Sequence, residues 1–160
     1  MTPLKLFTDA SLNPQSKIGY GAYLSIPPEP LSFESLKMRV KVKRFDQTSS
    51  TKLELQTLLW ALTSIQSLGK KVVVYTDSQN IIGLPGRRFR LEQNNYRSKK
   101  NKYINNYKLY QAFFQLLDQL NCEFIKIKGH KVSHQKDELD KLFTIVDRAS
   151  RKALRNQGKL

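Results

Sequence analysis

Acidic residues are scarce in this chain. Asp and Glu number 13 against 28 Lys and Arg, a formal net charge of +15 over 160 residues. That excess argues against a cationic partner and points to a polyanion, most often nucleic acid. Cysteine is scarcer still. The single Cys122 rules out an internal disulfide, so the fold does not depend on an oxidising compartment. Cys122 falls at the start of a strand-like run and reads as a buried structural thiol. No run approaches the ~18 apolar residues of a membrane span. MTPLKLFTDA lacks the long apolar stretch of a signal peptide, so cytoplasmic residence is expected and a membrane partner is not. The two histidines, His130 and His134, lie in GHKVSH, which reads as a loop and has no cysteine pair, so a zinc site is disfavoured. His134 reads as a surface residue. What remains is an ordinary globular balance, 39% apolar and 26% charged, at a length that suits one domain with a real core.

Strand and helix periodicities alternate along the chain. Leu4 to Thr8 and Gly19 to Ile26 read as strands joined by the turn-forming LNPQSK. Met38 to Phe45 alternates apolar and basic, which predicts a strand with one buried and one wet face. Leu53 to Leu68 is the clearest helix: Leu55, Leu58, Leu59, Leu62 and Ile65 recur at helical spacing, and Gly69 stops it. Thr51 and Glu54 have the spacing of a capping box at its start. Lys71 to Tyr75 reads as a strand buried on both faces, and Ser78 to Leu84 as a short helix ended by Pro85 and Gly86. Arg87 to Lys108 holds eight Lys or Arg against the single acid Glu92, with few residues suited to a core. It reads as a protruding basic loop or helical arm. A helix over Leu109 to Leu120, a strand over Cys122 to Lys128 and a helix over Glu138 to Arg155 complete the series. The expected fold is α/β, a five-stranded mixed sheet with antiparallel first three strands, flanked by helices, in a single domain spanning 1–160.

Three acids stand at element ends. Asp9 follows the first strand, Asp77 follows the fourth, and Glu54 lies in the first turn of the long helix. Each alone has a bland reading as a turn or cap residue. Together, in a basic chain with few acids, they suggest a metal site. Phosphodiester cleavage builds charge on the attacking and leaving oxygens, and two Mg²⁺ ions about 4 Å apart can stabilise both. Mg²⁺ prefers hard oxygen ligands, and clustered carboxylates without metal repel one another, which raises their pKa values.

The segments LFTDAS, NP, GYGAYL, TKLELQTLLWAL, VVVYTDSQ, IKIKGH and a closing helix with an acid run in an order that resembles type 1 ribonuclease H. The resemblance covers nearly the whole chain. It implies cleavage of the RNA strand of an RNA–DNA hybrid. It also implies two Mg²⁺ ions, with Mn²⁺ as a substitute, held by four carboxylates, and a histidine that assists turnover. Carried over, these are Asp9, Glu54, Asp77, a fourth acid and His130. Asp137, Asp140 and Asp147 are candidates for the fourth. Asp140 stands at the family's usual distance from Gly129 and His130. VDRASRKAL resembles the closing helix better and favours Asp147, which implies an extended segment after His130. Periodicity does not separate Asp140 from Asp147, because seven residues is nearly two helical turns. Asn13 and Gln79 match positions that contact the substrate strands. SSTKLE departs from the family, which often has Asn shortly before the helix acid, so Ser50 or a neighbour takes that place. The basic segment stands where some relatives carry a protrusion that grips DNA, without their tryptophan-rich sequence.

Rival readings fit less well. A related exonuclease usually has a second acid two residues after the first, where this chain has Ser11; integrases and transposases place Glu last among their acids, whereas Glu54 comes second. A junction-resolving nuclease shares the acid order more closely and normally works as a dimer. A monomer is expected here, but dimerisation is not readable from the sequence, so a related structure-specific nuclease stays the alternative. A binding module without catalysis would commonly have lost one of the three acids. Replacing Arg97, Lys99, Lys100 and Lys102 by Ala should weaken hybrid binding. It should also reduce the slope of log K against log salt by up to about 3 to 4 if all four meet phosphates. Unchanged binding over a salt titration would remove the segment from substrate recognition.

Overall fold

The computed structural model describes residues 3–65, 70–128 and 137–157. The elements are β1 (Leu4–Asn13), β2 (Ile18–Ile26), α1 (Phe33–Arg39), β3 (Lys41–Phe45), α2 (Ser50–Ser64), β4 (Lys71–Thr76), α3 (Gln79–Gln93), α4 (Tyr107–Gln119), β5 (Asn121–Lys126) and α5 (Glu138–Arg155). The strands form one mixed sheet in the order β3-β2-β1-β4-β5. β1, β2 and β3 pair antiparallel, as the sequence predicts, and the structure adds that β4 runs parallel to β1 and β5 parallel to β4.

The sheet has a core on each face. On one, α2, α3 and α4 bury Leu55, Leu58, Leu62, Ile81, Phe113 and Phe114 against Leu6, Val72 and Val74. On the other, α1 and α5 bury Leu36, Leu142, Phe143 and Val146 against Phe7, Leu24 and Tyr75. Alternation along β1 and β4 sends successive side chains to opposite cores. Phe7 and Tyr75 stack at 4.7 Å between ring centroids on the α5 side. Full burial of each such side chain contributes roughly 1.5–3 kcal/mol. The α5 stripe over 138–155 matches expectation, and Asp137 caps it. No helix among the described residues is long and apolar enough to cross a membrane.

Several local readings are corrected. The predicted third strand over Met38 to Phe45 is split: Met38 belongs to α1, and only β3 pairs. Ser32 caps α1 by accepting from Ser35 N at 3.1 Å, and Glu34, Lys37 and Arg39 complement its dipole. β3 lacks the predicted buried face. It is a sheet edge, and its Lys and Arg side chains guard against edge-to-edge pairing. The helix at 53 begins earlier, with Ser49 as N-cap, so Thr51 and Glu54 form no capping box. Leu68 and Gly69 lie outside the described residues. α3 continues through Pro85 and Gly86, where a stop was predicted. The hydrogen bond lost at Pro85 is offset by burial of Ile81 and Leu84 and by Arg88, which pairs with Glu92 at 2.7 Å and Asp118 at 2.6 Å. The Arg87–Lys108 segment is therefore half helix, followed by a compact connection with an Arg97–Tyr103 bridge. It also reaches the core, through buried Tyr96 and the half-buried Leu91, Ile104 and Tyr107. Cys122 is half-buried, and burial pushes its thiol up to about 11, consistent with an inert role.

Sheet and α2 pack in close contact at Gly21. A Cβ there would overlap the side chain of Thr57, a buried β-branched residue with little freedom to move. Gly21→Ala should cost about 1–3 kcal/mol, read as a lower midpoint in urea unfolding. Adding Thr57→Ala should restore most of the loss. A Gly21→Ala midpoint equal to wild type would refute the close packing.

Candidate active site

The parallel pairing of β1 and β4 builds the site. Leu4 lies beside Val72 and Phe7 beside Tyr75. The same register carried two residues further sets Asp9 opposite Asp77. There β1 continues alongside β2, with Asp9 opposite Ala22, while β4 has ended at Thr76. The strands part and leave a cleft lined by Asp9, Glu54, Asp77, Thr8, Thr57 and Thr76. A site where the sheet changes connectivity, beyond strand carboxyl ends, is a usual place for ligands in open α/β sheets.

Helices bring the remaining groups. Glu54 projects from α2 and accepts a hydrogen bond from Ser78 Oγ at 2.5 Å. That same oxygen accepts from Ile81 N at 3.2 Å and caps α3. α5 packs across β1 and carries Asp147 to a hydrogen bond with Asp9. Arg151, one turn on, pairs with Asp147 Oδ1 at 2.9 Å. Ser150 is fully buried and meets Ser11 Oγ at 3.0 Å, which ties α5 to β1 beside the cleft. Asp137 and Asp140, the other candidates for the fourth acid, are turned to the start of α5. They form a reciprocal capping box, with Asp140 N donating to Asp137 Oδ1 at 2.9 Å and Asp137 N to Asp140 Oδ2 at 3.2 Å.

The other predicted residues stand around this cluster. Asn13 ends β1, and its Oδ1 accepts from Gln15 N at 3.0 Å. Ser50 is the exposed first residue of α2. Gln79 Oε1 accepts from Lys126 Nζ at 2.7 Å. Lys99, Lys100 and Lys102 are exposed on the α3–α4 connection. Arg97 lies over the Tyr103 ring at 4.1 Å, and Tyr103 stacks on Tyr107 at 4.2 Å. His130 lies outside the described residues. Sequence reasoning missed Ser78, Arg151 and Lys126. Ser78 carried a signal, a serine opening a helix directly after an acid. Arg151 did too, four residues beyond Asp147. Lys126 carried none, because only β4–β5 pairing brings it to Gln79.

The comparisons follow the same pattern. The RNase H family model matches residues 1–147. The chain is 26% identical over 147 residues to a ribonuclease H of Caldicellulosiruptor saccharolyticus, covering 89% of this chain and 94% of that one. It is 25% identical over 114 residues to a ribonuclease H of Clostridium botulinum, covering 70% and 75%. Among solved structures, it resembles the native protease–reverse transcriptase of prototype foamy virus with a TM-score of 0.72 at 13% identity, over 94% of this chain and 20% of that one. A foamy viral protease–reverse transcriptase in complex with dsDNA gives 0.62 at 9% identity, covering 93% of each chain. The two structures speak to fold alone.

Electrostatically the cleft is strained. Burial pushes Asp9 up to about 9, with further rises from the Asp77 charge and from the hydrogen bond and charge of Asp147. Burial also raises Glu54, and Asp77 adds to this, while the Ser78 hydrogen bond works against it. Among the described residues no three His, Cys, Asp or Glu side chains already stand in metal-holding geometry. Protons and hydrogen bonds quiet the repulsion: Asp9 keeps a proton and Glu54 leans on Ser78. The donor set nevertheless suits a hard divalent cation, since it offers carboxylate oxygens in a cluster that favours added positive charge. A cation there would displace the proton on Asp9.

The raised Asp9 fixes a pH dependence. Between its ordinary value of 3.8 and about 9 the folded protein holds a proton that the unfolded chain has released. Stability of the metal-free protein should therefore fall as pH rises across that window and level off above it. Asp9→Asn, which cannot ionise, should lose this slope and melt higher than wild type at pH 8 in EDTA by several degrees, at about 2–4 °C per kcal/mol. Parallel melting curves for the two proteins from pH 5 to 9 would refute the buried, protonated Asp9.

Proposed function

The chain belongs to the RNase H family, and from that premise we propose that it is an endoribonuclease that hydrolyses the RNA strand of RNA–DNA hybrids. The observation that carries this reading is the meeting of Asp9, Glu54 and Asp77, from β1, α2 and the end of β4, in one cleft of a strongly basic protein, with Asp147 of α5 hydrogen-bonded to Asp9. Those four carboxylates would hold two Mg²⁺ ions, or Mn²⁺ in their place. When bound, such ions supply charge stabilisation at the attacking and leaving oxygens and ease deprotonation of the attacking water.

The chain's own groups do the positioning. Ser78 fixes the Glu54 carboxylate, and Arg151 and Ser150 fix the placement of Asp147 on α5. Histidine as a residue type titrates near neutrality, which makes His130 the candidate to pass a proton to the departing 3′ oxygen. RNA is told from DNA by its 2′-hydroxyl. Readers for it are the backbone of Asp9 to Asn13 and the exposed start of α2 at Ser50, with Asn13 and Gln79 meeting the strands. Arg97, Lys99, Lys100 and Lys102 hold the hybrid's phosphates, and Tyr103 offers a partly exposed ring beside them. We read the protein as a cytoplasmic monomer whose one domain carries both cleft and grip.

Cleavage of a labelled RNA–DNA hybrid in Mg²⁺ or Mn²⁺, with duplex DNA and duplex RNA as controls, tests the reading. Wild type should cut only the hybrid's RNA strand, at internal positions. Asp77→Asn should lower the rate by at least about 100-fold, the scale of losing one preorganised electrostatic contact. Tight hybrid binding without cleavage in either metal would instead indicate a binding module.

A further inference from the structure

Basic charge and exposed apolar surface coincide a second time, on the other side of the sheet from the Arg87–Lys108 segment. Among the described residues, the exposed large apolar side chains fall in two places. Phe89 and Tyr103 lie on the basic segment, whereas Leu31, Phe33, Met38 and Val42 surround α1, with Met38 86% exposed. Between α1 and α5 lies a groove of about 350 Å³. Its floor is apolar, formed by Phe33, Val40, Ile145 and Ala149. Its rim carries Lys37, Lys141, Arg148 and Lys152, and none of the described acidic residues lines it. Glu34, solvated at 83% side-chain exposure, lies 3.7 Å from Lys37. Charge of one sign around an apolar floor is what an acidic segment with a bulky apolar side chain would match.

We propose that the α1–α5 groove docks a short acidic peptide segment of a partner protein, with a Phe or Leu on the apolar floor and flanking Asp or Glu on the cationic rim. Two alternatives fit the groove less well. Single-stranded nucleic acid binds by stacking bases on open ring faces, and the face of Phe33 is covered by Lys37 at 4.9 Å. A second copy of this chain meeting the groove about a two-fold axis would set four cations against four cations. The groove also lies with the Phe7 and Val146 core, whereas Tyr96 and Leu91 anchor the basic segment to the opposite core. A docked peptide would therefore leave that segment open.

The test uses fluorescence anisotropy of a fluorescein-labelled peptide, Gly-Glu-Glu-Leu-Glu-Phe-Gly, titrated with the full chain at physiological salt. Saturable binding is expected. It should weaken by about tenfold on changing Lys37 and Lys141 together to Glu, two rim reversals each worth a fraction of a decade or more. It should weaken similarly when the peptide's Leu and Phe become Ser. Both lysines are exposed, so the variant should fold, and its circular dichroism should match wild type. Lys37→Gln with Lys141→Gln should fall between. Three outcomes would overturn the proposal. They are no binding, binding indifferent to the peptide's apolar residues or to the rim substitutions, and a rim-dependent loss of oligo-dT binding with the peptide unaffected. The second would mean attraction of any polyanion to the net charge, and the third a nucleic-acid face.

Discussion

Repulsion between carboxylates held at one end of a parallel strand pair is the constraint around which the rest of the molecule is arranged. The β1–β4 register leaves Asp9 and Asp77 no means of separating, because both are extensions of strands whose buried residues are locked on two sides. A one-residue slip would send Phe7 and Leu6 to the wrong cores. α2 then adds Glu54 and α5 adds Asp147. A buried hydrophobic stripe sets each placement, so the stripes that stabilise the fold also hold the acids together. Core packing therefore overcomes local electrostatics, and burial first, with the Asp77 charge and Asp147 adding to it, leaves a proton on Asp9.

The supporting contacts follow from the same constraint. Ser78 must cap α3 directly after Asp77, and its hydroxyl also reaches Glu54, so one residue links β4, α3 and α2. Arg151 offsets charge at Asp147 from the solvent side of α5, where its own exposure limits what the pair adds to stability. Such side chains hold the carboxylates in place without neutralising all of them, which leaves negative potential in the cleft of a protein of charge +15. A cleft of opposite sign to its surroundings favours cations inside and a polyanion around it, which is the distribution phosphodiester hydrolysis requires.

Legibility in the sequence tracked how far each element depends on its own residues. α5 was readable because its apolar stripe is unbroken, whereas the capping box of Asp137 and Asp140, both candidates for the fourth acid, emerges only in the structure. β1, β2, β4 and β5 were readable from alternation or apolar runs, although β1 extends past Asp9 because β2 pairs it to Asn13. α1 was not, since MRVKVKRF alternates like a strand. Only the burial of Leu36 beneath a Ser32 cap reveals the helix. Pro85 misled for a related reason: it is a local breaker within α3, whose stability comes from tertiary contacts at Ile81, Leu84 and Arg88. Tyr96 was hidden in the most basic stretch of the chain, where composition argues against a core residue.

Two of the candidate acids show why periodicity could not choose between them and what does. Asp140 and Asp147 flank the same stripe of α5, so helical spacing treats them alike. Their difference lies in depth along the sheet. Asp140 sits in the first turn, where unpaired backbone N–H groups and the helix dipole engage a carboxylate locally, and its side chain accepts from Asp137 N. Asp147 is two turns on, where every backbone N–H is already spent within the helix, so its carboxylate must find partners outside. It finds Asp9 across the packing seam and Arg151 along the helix. An acid consumed by its own cap is poorly placed to ligate, and one held against a second carboxylate by helix–sheet packing is well placed. Weighing the competing local demand on each acid thus supports the proposal of Asp147 where counting residues from a motif does not.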